Sequence, residues 1–221
     1  MKNNKTALVA GATGLVGKEL LAKLLEDDAY TSVTTVSRKP INTTHEKLGQ
    51  IVTDFDELEE VKDQLAADDV YCCLGTTMKQ AGSKEKFYKV DYAYPLLLAQ
   101  LAKAAGAKKY LLISAMGADK DSSMYYNEVK GKIEEAIEQI SFESVLIFRP
   151  SLLLGDRKEV RTGEAIAKKL MTGLEFLMIG PLKKYRAIEA STVAAVMIGT
   201  ANGDLQGIHI FESEKMKETV Q

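Results

Sequence analysis

Tyr126 and Lys130 stand four residues apart in a stretch of helical periodicity, so both side chains project from one face of a helix. A phenol titrates near about 10, and it handles protons near neutrality only beside a cation that favours the phenolate. Lys130 supplies that cation. Tyr125 lies five residues from Lys130 and falls on a different face, which leaves Tyr126 as the proton-handling candidate.

A second group of residues offers anion binding instead of proton transfer. In Gly11-Ala12-Thr13-Gly14-Leu15-Val16-Gly17, three positions without a Cβ follow an apolar strand and open an amphipathic helix. There the backbone must turn tightly, approach a pyrophosphate and pack helix on strand. Free N–H groups at that helix start, with the helix dipole behind them, hold phosphate without any Lys or Arg in the turn. A nicotinamide dinucleotide is the ligand this pattern implies. At the end of the next strand, where a carboxylate would bond the ribose hydroxyls of NAD, the chain reads Val36-Ser37-Arg38-Lys39-Pro40. Two adjacent cations favour a 2′-phosphate, so NADP(H) is expected over NAD(H).

These residues need a scaffold, and the chain alternates apolar runs with amphipathic stretches throughout. Strands are expected at Thr6–Ala10, Ser32–Val36, Gln50–Thr53, Val70–Leu74, Tyr110–Ser114, Val145–Phe148 and Ile208–Phe211. Helices are expected near Leu15–Leu25, Glu57–Leu65, Tyr94–Ala105, Tyr125–Gln139, Glu164–Leu177 and Thr192–Ala201, with Pro95 starting or kinking the third. The expected fold is α/β: a single doubly wound Rossmann domain over 1–221, with a mostly parallel sheet and helices on both faces. Past Pro150, Gly155, Gly163, Gly173 and Gly180-Pro181 break the alternation, and about 150–221 would contribute a small C-terminal cap on the substrate side.

With 46% hydrophobic and 27% charged residues over 221 positions, the composition suits one globular core. A net charge of -2 lacks the basic footprint of a nucleic-acid binder. No apolar run reaches the roughly 20 residues of a membrane span, and no signal-peptide core follows Met1, so the cytoplasm is the expected compartment. Cys72 and Cys73, adjacent in an apolar run, read as buried free thiols. His45 and His209 have no partners at ligand spacing, so no metal site is expected.

The segments GATGLVG, CLGTT, LLISAMGAD, YNEVK and FRPSLLLGDRKEVRTGE together resemble the atypical short-chain dehydrogenases/reductases of the Tat-interacting-protein type, over nearly the whole chain. That resemblance implies that Thr13, Gly14, Leu15 and Val16 line the pyrophosphate and that Arg38 and Lys39 meet the adenosine phosphate. It also implies that Leu74-Gly75 forms the passage to the nicotinamide, that Lys130 bonds the nicotinamide ribose, and that Leu153 and Arg161 close over that end. Asp54 matches by position the acid that meets adenine in similar enzymes. Such proteins place a catalytic hydroxyl at the end of the fifth strand, where this chain has Ser114 followed by Ala115. Successive strand residues face opposite sides, so only one of these points at the substrate, and Ser114 is the candidate that carries a hydroxyl. Two functions remain open: an NADPH-dependent oxidoreductase acting on a small carbonyl or enone, or an NADP(H)-binding sensor that relays redox state to a protein partner.

Overall fold

The computed structural model describes residues 4–155 and 186–219. Seven strands form one sheet in the order β3-β2-β1-β4-β5-β6-β9, every neighbouring pair parallel. They are β1 (Lys5–Ala10), β2 (Tyr30–Ser37), β3 (Leu48–Val52), β4 (Asp69–Cys72), β5 (Lys109–Ile113), β6 (Ser144–Arg149) and β9 (Gly207–Glu212). Each coincides with an expected strand, displaced at most by two residues at either end. Two short strands, β7 (Leu153–Leu154) and β8 (Ile188–Glu189), pair in a separate parallel ribbon that two-residue segments give no periodicity to predict.

Alternation along each strand divides the core into two layers. On one face Ala7, Val9, Leu111, Leu146 and Phe148 pack with α1 (Leu15–Glu26) and a helix over Ala190–Asn202. On the other, Leu8, Ala10, Val70, Leu112 and Ile147 pack with a 3-10 helix (Phe55–Gln64), a helix over Tyr94–Ala104 and another over Tyr125–Glu138. In chain order the remaining helices are α2 (Met78–Ala81), α3 (Lys84–Tyr88), α4 (Tyr94–Ala104), α5 (Tyr125–Glu138), α6 (Ala190–Asn202) and α7 (Ser213–Thr219). This is a Rossmann-like α/β fold with helices on both faces.

Two local features differ from expectation. The helix expected from Tyr94 begins earlier, because α3 runs into α4 through a π turn at Lys89–Ala93, with Tyr88, Lys89, Ala93 and Tyr94 all in right-handed helical geometry. Pro95, which has no N–H to give, falls just after that turn. Within the expected C-terminal cap, 190–219 returns to the main layers, since α6 packs on α1 and β9 is the seventh strand. The expected helix Glu164–Leu177 lies outside the described residues.

The strand order reverses between β1 and β4, which opens a crevice beyond their C-terminal ends, the place where open α/β sheets take ligands.

Candidate functional site

The glycine turn fills one wall of that crevice. Gly11 has φ +83°, and a Cβ there would stand 2.5 Å from the carbonyl carbon and oxygen of Cys73, which directly follows the neighbouring strand β4. A Cβ on Gly17 would stand 2.1 Å from the Gly11 carbonyl oxygen. Gly14 donates its N–H to that same oxygen at 2.9 Å and serves as N-cap of α1, with no side chain capping the helix and no acid in its first turn. Thr13 and Gly14 are exposed, Leu15 is half-buried, and Val16 and Gly17 are buried under the helix. The first-turn N–H groups therefore face the crevice without a competing side-chain acceptor, as a pyrophosphate requires.

The turn rests on Cys72-Cys73. Burial pushes both thiols up, so they stay protonated and serve as small packing groups. Cys73 is only half-buried.

Arg38 and Lys39 follow β2, next to β1, and both are exposed. The Ser37 hydroxyl donates to the Lys39 carbonyl at 2.8 Å and shapes this short turn. Neither cation pairs with an acid among the described residues. Asp54 lies beyond β3, exposed, where its Oδ1 accepts the Asp56 N–H at 3.0 Å and caps the 3-10 helix. Its other oxygen makes no described hydrogen bond.

Across the crevice, α5 presents the proton-handling pair. The Tyr126 ring packs on the buried Phe87 with centroids 5.5 Å apart, and its hydroxyl has no hydrogen-bond partner among the described residues. Tyr125, by contrast, donates its hydroxyl to the Lys84 carbonyl at 3.2 Å. Of these two neighbours, Tyr126 is the one whose phenol is free among the described residues. Lys130 is buried, and its Nζ stands 2.8 Å from Asp91 Oδ1. Burial works against the ammonium, but the Asp91 carboxylate, aided by Tyr126, outweighs it and holds Lys130 above the ordinary lysine value.

Leu74 is half-buried and Gly75 exposed, just past β4. A Cβ on Gly75 would lie 3.4 Å from Asp91 Oδ1 and 3.6 Å from Lys130 Nζ, so the expected nicotinamide passage runs directly over the Lys130–Asp91 pair. Leu153 is half-buried in β7, two residues before Gly155, where a Cβ would stand 2.8 Å from Leu15 Cδ1. The ribbon thus comes back to the glycine turn. Arg161 lies outside the described residues.

Ser114 is placed differently from the other proton-handling candidates. It is buried, and its hydroxyl donates to Glu134 Oε1. Arg149 holds that carboxylate through Nε at 3.0 and 3.1 Å and through Nη2. The Ser114 hydroxyl is therefore committed to a buried ion pair one helical turn beyond Lys130, and its neighbour Ala115 has none to offer.

Three residues of this constellation escaped the sequence reading: Asp91, Glu134 and Arg149. Glu134 was findable, since it continues the Tyr126, Lys130 spacing by another four residues on the same face. Asp91 carried no comparable signal.

Glycines whose missing carbons leave backbone in contact, an uncapped helix start, and a Tyr/Lys pair across a switch-point crevice define a nicotinamide-dinucleotide-binding Rossmann protein. The model of the NAD dependent epimerase/dehydratase family matches residues 7–188. The chain belongs to that family.

Among curated relatives, the protein HTATIP2 of Rattus norvegicus is 41% identical, over 77% of this chain and 72% of that protein. The mitochondrial protein FMP52-1 of Scheffersomyces stipitis is 34% identical over 96% of this chain and 97% of its own. Similar solved structures include UDP-N-acetylglucosamine 4-epimerase from Methanobrevibacter ruminantium M1, with a TM-score of 0.70 at 17% identity, covering 96% of this chain and 77% of that one. The Bordetella bronchiseptica enzyme WbmH, in complex with NAD+, has a TM-score of 0.71 at 14% identity, covering 97% and 78%. At such identities these two speak to the fold alone.

The fungal relatives overturn one expectation. Proteins 32–38% identical to this chain carry mitochondrial names, so the cytoplasmic location expected from the N-terminal sequence does not stand. A missing secretory hydrophobic core bears on secretion alone, because organellar presequences are marked by basic amphipathic composition instead.

Proposed function

We propose that this protein is an oxidoreductase that uses NADP(H) in preference to NAD(H) and acts on the carbonyl or enone of a small molecule. The observation that carries the reading is the free Tyr126 hydroxyl one turn from a buried, charged Lys130 that borders Gly75. When bound, the dinucleotide supplies or accepts the hydride. In the reducing direction Tyr126 gives its proton to the substrate oxygen, and the phenolate left behind is stabilised by the Lys130 ammonium. In the oxidising direction the same phenolate takes the proton back. Lys130 also bonds the nicotinamide ribose, the N–H groups after Gly14 hold the pyrophosphate, and Arg38 and Lys39 meet the 2′-phosphate. Asp54, Leu74, Leu153 and Arg161 line the remainder of the dinucleotide.

A panel of aldehydes, ketones and enones tested for NADPH oxidation checks the proposal, with Tyr126→Phe as control. Turnover that survives in the phenylalanine variant rules out the assigned acid.

One observation favours a second reading. With Ser114 committed to Glu134 and Ala115 lacking a hydroxyl, the strand end contributes no second donor to a substrate oxygen. Missing one such donor typically costs ~2.7–4 kcal/mol of transition-state stabilisation. A protein that binds NADPH tightly yet turns over nothing in the panel would be a redox sensor with a protein partner.

A further inference from the structure

The π turn at Lys89–Ala93 carries a buried carboxylate whose two oxygens face different parts of the crevice. Asp91 is fully buried. Its Oδ1 stands 2.8 Å from Lys130 Nζ on α5, and its Oδ2 accepts the Thr76 N–H at 2.9 Å, in the segment that follows Gly75. The 2.8 Å contact between Oδ1 and Lys130 is a buried ion pair at charge-assisted hydrogen-bond distance. An ammonium carries three protons, so one serves Asp91 and the others stay available to a ligand. Lys130 makes no other described hydrogen bond, its side chain keeps 5% exposure, and its Nζ lies beneath the exposed Gly75.

We infer that Asp91 is a positioning residue: it keeps Lys130 charged with its ammonium protons directed at the nicotinamide ribose, and it ties the Gly75-Thr76 wall to the same point. This rests on the dinucleotide reading above and extends it to a residue that touches neither cofactor nor substrate. Three features fit this role. A carboxylate is required because a buried ammonium without a counter-charge loses its proton. The π turn is required because a wider helical turn aims one extra residue inward, and such turns gather at functional sites. Glycine at 75 leaves the pair uncovered, since a Cβ there would lie in van der Waals contact with both groups.

The test separates the nicotinamide half of the ligand from the adenosine half. NADPH and adenosine 2′,5′-bisphosphate, which ends before the nicotinamide ribose, are titrated into wild type, Asp91→Asn and Lys130→Met. The amide keeps the shape of Asp91 and removes its charge. Asp91→Asn should weaken NADPH by about tenfold or more and leave the bisphosphate unchanged. The double variant should bind NADPH no more weakly than Lys130→Met alone, because Asp91 acts through Lys130. Unchanged NADPH affinity in Asp91→Asn overturns the inference, as does an equal loss of both ligands, which marks a general structural role. If wild type binds neither ligand, the dinucleotide reading itself fails, an outcome distinct from a failure confined to the variant.

Discussion

The two ends of the sheet treat polar groups in opposite ways. At the N-terminal edge, the first residues of β1, β2 and β4 converge in a closed network. Asp69 Oδ2 accepts the Tyr30 hydroxyl at 2.6 Å and meets Lys5 Nζ at 2.6 Å, while the Tyr30 and Tyr71 hydroxyls lie 2.7 Å apart. Lys5 and Lys109 also donate to carbonyls at the end of α6, a helix with no basic residue in its own last turn. Burial first, then Tyr71 and Asp69, push the Tyr30 phenol far above its ordinary range, so it remains a neutral donor. At the C-terminal edge the first-turn N–H groups of α1, the Tyr126 hydroxyl and the two cations after β2 have no described partner. Polar groups that are mutually satisfied rigidify a fold, whereas those left open are available to a ligand.

Variants can break this contrast from either side. The largest effect is expected from Tyr126→Phe, which should lower NADPH-dependent turnover by about 10²–10⁴-fold while leaving NADPH affinity and the unfolding midpoint near wild type. A matching fall in thermal stability would count the phenol among the structural groups. Next, Asp69→Asn removes one partner of a buried ion pair and should cost about 3–5 kcal/mol in chemical denaturation with NADPH affinity retained in the folded fraction. Wild-type stability in that variant would break the comparison at its closed end.

Arg38→Ala should raise the NADPH dissociation constant by about tenfold and leave that for NADH nearly unchanged. Equal weakening of both cofactors would remove the 2′-phosphate assignment. The smallest change belongs to Tyr71→Phe, which deletes a single neutral hydrogen bond and should cost about 1 kcal/mol, read from the denaturation midpoint, without touching cofactor binding.

The open end was the more legible of the two in sequence. Glycines at 11, 14 and 17 and the four-residue spacing of Tyr126 and Lys130 are local patterns, and local patterns survive in a linear chain. The strands were equally plain, because β-branched runs such as Val33–Val36 and apolar ones such as Leu111–Ile113 are bounded by helical stretches. The closed end was invisible: Lys5, Tyr30, Asp69 and Tyr71 meet only once β1, β2 and β4 pair, at separations of tens of residues. Ser114 failed as a guide for a similar reason, since its orientation depends on Glu134 and Arg149 reaching it from α5 and β6. Asp91 sits in Lys-Val-Asp-Tyr-Ala, where regular helical spacing gives no reason to bury a charge.

The π turn makes the site depend on residue count as well as on residue identity. In a regular helix each residue turns the chain by about 100°, so deleting one residue ahead of Asp91, such as Val90, closes the widened turn and rotates α3 by about that angle against α4. The Leu98, Ala99 and Ala102 face of α4 would stay on the sheet, while Phe87 of α3 would turn away from the Tyr126 ring it packs against. A one-residue change in length here is thus a more selective lesion than most substitutions in the core.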